Sequence, residues 1–227
     1  MILSMFQTYR ISRSVQFYKL SISSILSIIR SIFNICRFSK SIFYSSFLFA
    51  VKNNYGSYDI WDEFTQKLLY QMETESNLEL KRVYGRQLHQ LIECLGIGAT
   101  RWLTSLLSVI SSYTLSITDQ QCRIDALENL GKIMESCEER VKFHCDNIFE
   151  TLIRLLYETS KISENSEDSN NSENSKILHL IEQNLQKIAK LCPDEFALQF
   201  ADLNEVHVNE VFDRVISDLF NSQCNKG

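Results

Sequence analysis

Apolar residues recur three and four positions apart through most of the chain from residue 57 onward, which is the spacing that lines one face of an α-helix. No segment alternates apolar and polar residues over the length of a strand, and the 227 residues include one proline and six glycines. The pattern therefore predicts an all-α protein. The predicted helices cover 57–72, 80–95, 100–113, 118–137 and 139–158, and three more start near 176, 193 and 204.

Residues with known preferences for helix ends mark several of these boundaries. Gly96 follows the second helix and is predicted to end it. Thr118, with Gln121 three residues later, has the form of a capping box at the start of the fourth helix. Pro193 suits the first turn of a short helix, because the N–H donor that proline lacks is not needed at that position.

A sequence repeat organises these helices. The block Asn-Leu-Gly-Lys-Ile-Met-Glu-Ser-Cys at 129–137 returns as Asn-Leu-Gln-Lys-Ile-Ala-Lys-Leu-Cys at 184–192, 55 positions later, whereas 106–110 aligns with 152–156 at an offset of 46. The extra residues coincide with a polar tract at 160–175, which is predicted to be a disordered acidic loop. Without it the unit is in the mid-forties, the period of HEAT-type helix pairs. The repeat predicts an α-solenoid of HEAT/armadillo-like antiparallel helix pairs.

Composition divides the chain near residue 56. Residues 1–58 hold seven Lys or Arg and no acid, and the remainder holds 16 bases against all 28 acids. We assign 1–56 as a basic segment rich in Ser, Ile and Phe, and 57–222 as the helical repeat domain. The basic segment is either a transit peptide or a stretch that does not belong to the native folded domain. Its uncharged runs of ten or eleven residues are shorter than the ~17–25 that cross a bilayer, so no membrane is expected.

The seven cysteines are scattered, with no C-x-x-C spacing. Buried free cysteine behaves as a small hydrophobic residue, so these positions are predicted to be core thiols. Unpaired spacing favours a reducing compartment over a disulfide framework. We therefore expect a cytoplasmic protein that is also found in the nucleus.

No arrangement of residues predicts catalysis, a cofactor or a metal site. Gly96 and Gly98 precede a helix, but no strand precedes them and no Gly-Lys-Ser follows. His144 and Cys145, with Cys137 eight residues earlier, lack the second close-spaced pair of a structural zinc site. The acidic part from residue 59 onward has no basic stripe that could neutralise phosphates, which argues against nucleic acid. We expect a protein that is not an enzyme and takes no small-molecule substrate.

Several segments carry a family resemblance. Leu-Gly-Ile-Gly-Ala-Thr-Arg-Trp-Leu at 95–103, Ala-Leu-Glu-Asn-Leu at 126–130, Arg-Val at 140–141 and Ile-Phe-Glu-Thr-Leu-Ile at 148–153 resemble the C-terminal half of the Tel-two-interacting protein two family, over roughly 60–220. That family supplies the smallest subunit of the Triple T co-chaperone. The resemblance implies a non-enzymatic scaffold that binds the other Triple T subunits, heat-shock-protein-90 co-chaperones and phosphatidylinositol-3-kinase-related kinases, and supports the maturation and stability of those kinases.

Two other functions stay open: a HEAT-repeat interaction scaffold of another assignment, and an organelle-targeted, membrane-associated protein. In paired-helix arrays the second helices usually line the concave face. This analogy makes exposed charges on the fourth and sixth helices candidates for partner binding. The candidate residues are Arg123, Glu128, Lys132 and Lys187. The repeat also predicts that Leu130 and Leu185 occupy equivalent buried positions.

Overall fold

The computed structural model describes residues 58–116, 119–165, 171–203 and 207–224, and every regular element in these ranges is helical. The prediction of an all-α protein is confirmed. The basic segment 1–56 lies outside the described residues. The helices are α1 (Tyr58–Thr74), α2 (Leu78–Leu95), α3 (Leu103–Thr114), α4 (Gln120–Ser136), α5 (Glu138–Val141), α6 (Cys145–Asn165), α7 (Asn171–Leu191), α8 (Pro193–Leu203) and α9 (Glu210–Cys224), with 3₁₀ turns at Gly96–Trp102 and Lys142–His144.

The predicted helix ends are confirmed at two of three places. Gly96 ends α2 with a φ of 51°, a conformation that glycine adopts without steric cost. Pro193 begins α8. The capping box is wrong: Thr118 lies outside the described residues, and the N-cap of α4 is Asp119, whose side chain accepts a hydrogen bond from Cys122 N. Asp119 is held there because Arg82 Nε also donates to its carboxylate at 2.7 Å.

The helices pack in two rows. In one row α4 lies between α2 and α7 and contacts both, and in the other α1 contacts α3, which contacts α6. The rows meet where α3 packs on α4 and α6 packs on α7, while α8 and α9 pack against α6 and α7. Leu130 on α4 and Leu185 on α7 are both buried between the rows, as the repeat predicts.

The predicted loop at 160–175 is mostly helical. α6 continues to Asn165 and α7 starts at Asn171, so only 166–170 lies outside the described residues. Ser160 and Asn174 are buried. Ser160 Oγ donates to the Tyr157 carbonyl, and Asn174 Oδ1 accepts from Gln120 Nε2 on α4, whereas the buried Asn174 Nδ2 makes no hydrogen bond. Polar composition therefore did not mark the helix ends, and the prediction of one continuous loop was wrong.

The cysteines depart from the predicted set of free thiols. Cys145, the first residue of α6, is disulfide-bonded to Cys192, which follows α7. Cys122 and Cys137 remain buried thiols. Helix packing brings together two residues 47 positions apart, and neither their spacing nor their neighbours in the sequence indicates the pairing.

One described stretch, Leu78–Thr114, is long and apolar enough to cross a membrane, judged by length and composition only. The stretch is not one straight helix, because Gly96 ends α2 and α3 begins at Leu103. Leu88, Ile92 and Leu106 within it are buried in the helical core. The packing of α2 and α3 against their neighbours buries 28% of the apolar window within this stretch, so it accounts for part of the apolar content.

Candidate interaction surface

The repeated block makes the same backbone contact in both copies. Asn129 Nδ2 on α4 donates to the Gly85 carbonyl of α2 at 2.9 Å, and Asn184 Nδ2 on α7 donates to the Leu127 carbonyl of α4 at 3.0 Å. Both asparagines are buried, so each bond replaces a hydrogen bond to water that the side-chain amide loses on folding. The repeated asparagine therefore ties each helix of this row to the helix before it.

The repeated lysine makes the same ion pair in both copies. Lys132 Nζ on α4 lies 3.2 Å from a Glu93 oxygen on α2, and Lys187 Nζ on α7 lies 2.6 Å from a Glu135 oxygen on α4. A third pair, Glu128 with Lys176 at 2.9 Å, also joins α4 to α7. We call Glu93, Glu128, Lys132, Glu135, Lys176 and Lys187 the charge ladder.

Close approach of α7 to α4 depends on Gly131. A Cβ placed there would lie 3.0 Å from both Asn184 Oδ1 and Lys187 Nζ, which is tighter than ordinary van der Waals contact. Gly85 has the same role more weakly, since its Cβ would lie 3.3 Å from the Cβ of Asp125. Both glycines stand in helix interiors, where glycine is normally unfavourable, so the sequence itself offered a signal for these contacts.

The four residues proposed for partner binding all contact another helix of the same chain. Arg123 is 1% exposed and its Nη2 lies 3.4 Å from a Glu158 oxygen on α6. The expectation that Arg123 is exposed is wrong, because α4 is covered by α2, α3 and α7 and Arg123 reaches inward to α6. Burial lowers the pKa of its guanidinium. Glu128, Lys132 and Lys187 lie at the surface within the charge ladder, and their role in binding stays a prediction.

Two clefts open on the other side of the molecule, where sequence reasoning placed no site. One, of about 390 Å³, lies between α3 and α6 over Leu130 and is bordered by Ser108 and Asn147. The other, of about 540 Å³, lies between α6, α8 and α9 and is lined by Phe149, Leu203 and Phe212 among others. We call them the α3–α6 cleft and the α6–α8–α9 cleft.

The exposed face of α6 separates the two clefts. Glu150 and Arg154 line both of them, and both residues are exposed. Along α6, residues that line the clefts alternate with residues buried in the core, at the spacing of a helix. A helical wheel alone would therefore assign the face that carries Glu150 and Arg154 to solvent. The α3–α6 cleft lies beside this face because α3 and α6 make few contacts with each other.

The described side chains include no group of three or more His, Cys, Asp or Glu placed to hold a metal ion. His144 lines the α3–α6 cleft, whereas Cys137 and Cys145 are buried and Cys145 is already bonded to Cys192. Burial raises the pKa of the Cys137 thiol, and burial is also the largest cause that raises the pKa of the Cys122 thiol to about 11. Both groups therefore favour the thiol over the reactive thiolate.

These features describe an all-helical protein held together by a repeated contact between neighbouring helices. No protein-family profile matches the chain. Two curated proteins are similar to it: TELO2-interacting protein 2 of Homo sapiens is 31% identical over 103 residues, and TELO2-interacting protein 2 of Mus musculus is 31% identical over 102 residues. Each alignment covers 44% of this chain and 20% of the relative. The family resemblance inferred from the sequence is confirmed over this part of the chain, which corresponds to a fifth of the relatives' length.

Proposed function

We propose that this chain is a non-enzymatic, protein-binding subunit of a complex like the one that contains TELO2-interacting protein 2. The observation that supports the proposal is the 31% identity to that protein from two mammals. The printed name of the relatives describes a protein that interacts with TELO2. By this analogy the chain is a Triple T-type subunit that supports the stability of phosphatidylinositol-3-kinase-related kinases, and it works in the cytoplasm and the nucleus.

The helix packing supports a HEAT-like α-solenoid as the architecture of this subunit. α3 and α4 are consecutive, joined by a short connection and packed together, as antiparallel helix pairs are. The same pairing recurs in α6 and α7, and the repeated Asn and Lys join each second helix to the one before. In such arrays each unit contacts its neighbours, which leaves extended surfaces for protein partners.

The charge ladder is the proposed partner surface. Three of its six residues, Glu128, Lys132 and Lys187, are the surface part of the set selected from the sequence, and the ladder joins residues of opposite charge across α2, α4 and α7. Exposed ion pairs of this kind contribute only about 0–1 kcal/mol to folding, so they can exchange partners at small cost. A binding partner with a complementary pattern of charges would gain specificity and association rate from them.

A charge swap tests this surface without removing an intramolecular ion pair. In the double variant Glu128→Lys with Lys176→Glu the α4–α7 pair is kept with its polarity reversed. The matched control is Glu139→Lys with Lys142→Glu, which swaps an exposed pair within the turn that follows α4. Tagged full-length chain is co-expressed with TELO2, and captured TELO2 is quantified for each variant, with melting temperature as a check on folding.

We expect the wild type and the control to capture TELO2 and the ladder swap to capture at least tenfold less, with unchanged melting temperatures. If both swaps captured the same amount of TELO2, the charge ladder would not be the binding surface. The exposed face of α6 would then be tested with Arg154→Glu. Failure of the wild-type chain to capture TELO2 would contradict the proposed function itself.

A further inference from the structure

The disulfide lies at a junction between three helices. Cys145 begins α6, and Cys192 connects α7 to α8. Both residues are buried, at 4% and 2% exposure. The bond therefore joins the start of α6 to the start of α8 and closes a loop between two residues 47 positions apart.

The same end of α8 is held to α6 by side-chain contacts. The rings of Phe149 on α6 and Phe196 on α8 meet edge to face with centroids 5.4 Å apart, and Phe196 stacks on Phe200 at 5.2 Å. Gln199 on α8 donates to Asp146 on α6. Asp146, Phe149 and Gln199 all line the α6–α8–α9 cleft. The position of α8 against α6 thus determines the width of this cleft, and the disulfide restrains that position.

The other copy of the repeat provides an internal comparison. Cys192 corresponds to Cys137 at the offset of 55, and Cys145 corresponds to Ala99 at the offset of 46. Ala99 and Cys137 are both buried, and Cys137 remains a thiol. The fold therefore packs the same two positions without a cross-link in the preceding copy. A covalent bond at this junction is not a requirement of the helix packing.

We propose that Cys145 and Cys192 are a reversible oxidation site that, in its disulfide state, clamps α8 onto α6 and fixes the α6–α8–α9 cleft. The oxidant is a low-molecular-weight disulfide such as glutathione disulfide. The thiolate of one cysteine attacks it, one sulfur–sulfur bond breaks, a first thiol leaves and a mixed disulfide forms. The second cysteine then displaces the second thiol, so two electrons and two protons pass to the oxidant. A dithiol reductant reverses both steps, and the inference does not depend on the proposed partner.

The first test measures the redox equilibrium on the full chain. The protein is incubated with mixtures of reduced and oxidised glutathione, free thiols are alkylated, and peptide mass spectrometry locates the cross-link. We expect the Cys145–Cys192 bond to form and disappear reversibly as the ratio changes, with no cross-link in Cys145→Ser. Cys137→Ser should keep the behaviour of the wild type. A protein that stays fully reduced at every ratio, or a native cross-link that resists excess dithiol, would overturn the proposal.

The second test measures the mechanical consequence and needs no variant. Amide hydrogen exchange is compared between oxidised and reduced wild-type chain. We expect slower exchange across α8 in the oxidised state, and a melting temperature higher by on the order of 10 °C because the bond constrains the unfolded chain. Exchange across α2 and its contact with α4, far along the row, should be the same in both states. Identical exchange at α8 in the two states would show that the bond clamps nothing.

Discussion

The two copies of the repeat agree on the side that faces the preceding helix and differ on the other side. Asn129 and Asn184 make the same bond, as do Lys132 and Lys187. On the opposite side α4 presents Gly131, against which α7 packs, whereas the equivalent Gln186 on α7 donates to Glu182 of its own helix. The residues that contact the preceding helix are thus the same in the two copies. The residue that faces the following helix differs, and in the described chain no similar helix packs on that side of α7.

The largest expected effect tests the part that the copies share. Leu130→Ala and Leu185→Ala should each lower the free energy of unfolding by about 2–5 kcal/mol, because each leaves a cavity between the two rows. Urea unfolding measures both values. Leu198→Ala is the control, since Leu198 is 76% exposed and its truncation should change little. If only one of the two substitutions left the free energy of unfolding nearly unchanged, the two copies would not be equivalent.

The shared asparagines should give the next largest effect. Asn129→Ala removes the side-chain donor to the Gly85 carbonyl, and Asn184→Ala does the same to the Leu127 carbonyl; both carbonyls keep their helical N–H donors. The loss of one buried hydrogen bond, together with the small cavity left by the amide, costs about 1–3 kcal/mol, so both variants should unfold at lower denaturant concentrations by similar amounts. Gln183→Ala on the exposed side of α7 provides the reference. Loss of stability at Asn129 alone would mean that the second contact contributes nothing.

Exchanging the residues that differ sharpens the comparison. Gly131→Gln should destabilise the chain by about 1–3 kcal/mol, because the added side chain has no room between α4 and α7. The reverse change, Gln186→Gly at a half-buried position, should cost only about 0.5–1 kcal/mol, the ordinary penalty of glycine in a helix interior. Thermal unfolding of both variants measures the asymmetry. Equal costs would indicate that α7 does not approach α4 as closely as the structure shows.

The smallest effect concerns Asp125, whose counterpart at the offset of 55 is Leu180. Burial raises the pKa of the Asp125 carboxyl above its usual range, against an opposing hydrogen bond from Gln121. The folded state therefore holds this proton more tightly than the unfolded state, so stability falls as the pH rises from the unfolded pKa of about 4 through the raised folded value. Asp125→Asn should be more stable than the wild type near neutral pH, and the advantage should disappear below about pH 4.

This prediction is checked by urea unfolding at a series of pH values. The control is Asp146→Asn on α6, which makes the same substitution at an exposed acid. A wild type that gains stability between pH 4 and 7 relative to Asp125→Asn would mean that the ionised carboxylate is favoured in the folded protein. In that case the hydrogen bond from Gln121, which lowers the pKa of the Asp125 carboxyl, would outweigh burial, which raises it.

Local chemistry and periodicity predicted most of the helices. The apolar spacing located α1 to α4, α6, α7 and α9, because a helix repeats every 3.6 residues whatever surrounds it. Gly96 and Pro193 marked boundaries for the same local reason. The polar tract misled because Ser160 and Asn174 make hydrogen bonds in buried surroundings that composition does not report. The end of α6 and the start of α7 could not be found from residue types alone.

The sequence by itself determined that the chain is helical, that two blocks repeat, and that Leu130 and Leu185 lie in the core. Tertiary structure alone decided that Arg123 is buried, that Cys145 bonds to Cys192, and that two clefts flank the exposed face of α6. The physical reason is that a helix pattern specifies which residues share a face but not how many neighbouring helices cover that face. Helix packing alone decides whether a residue at the edge of an apolar stripe is buried and which distant residues come into contact.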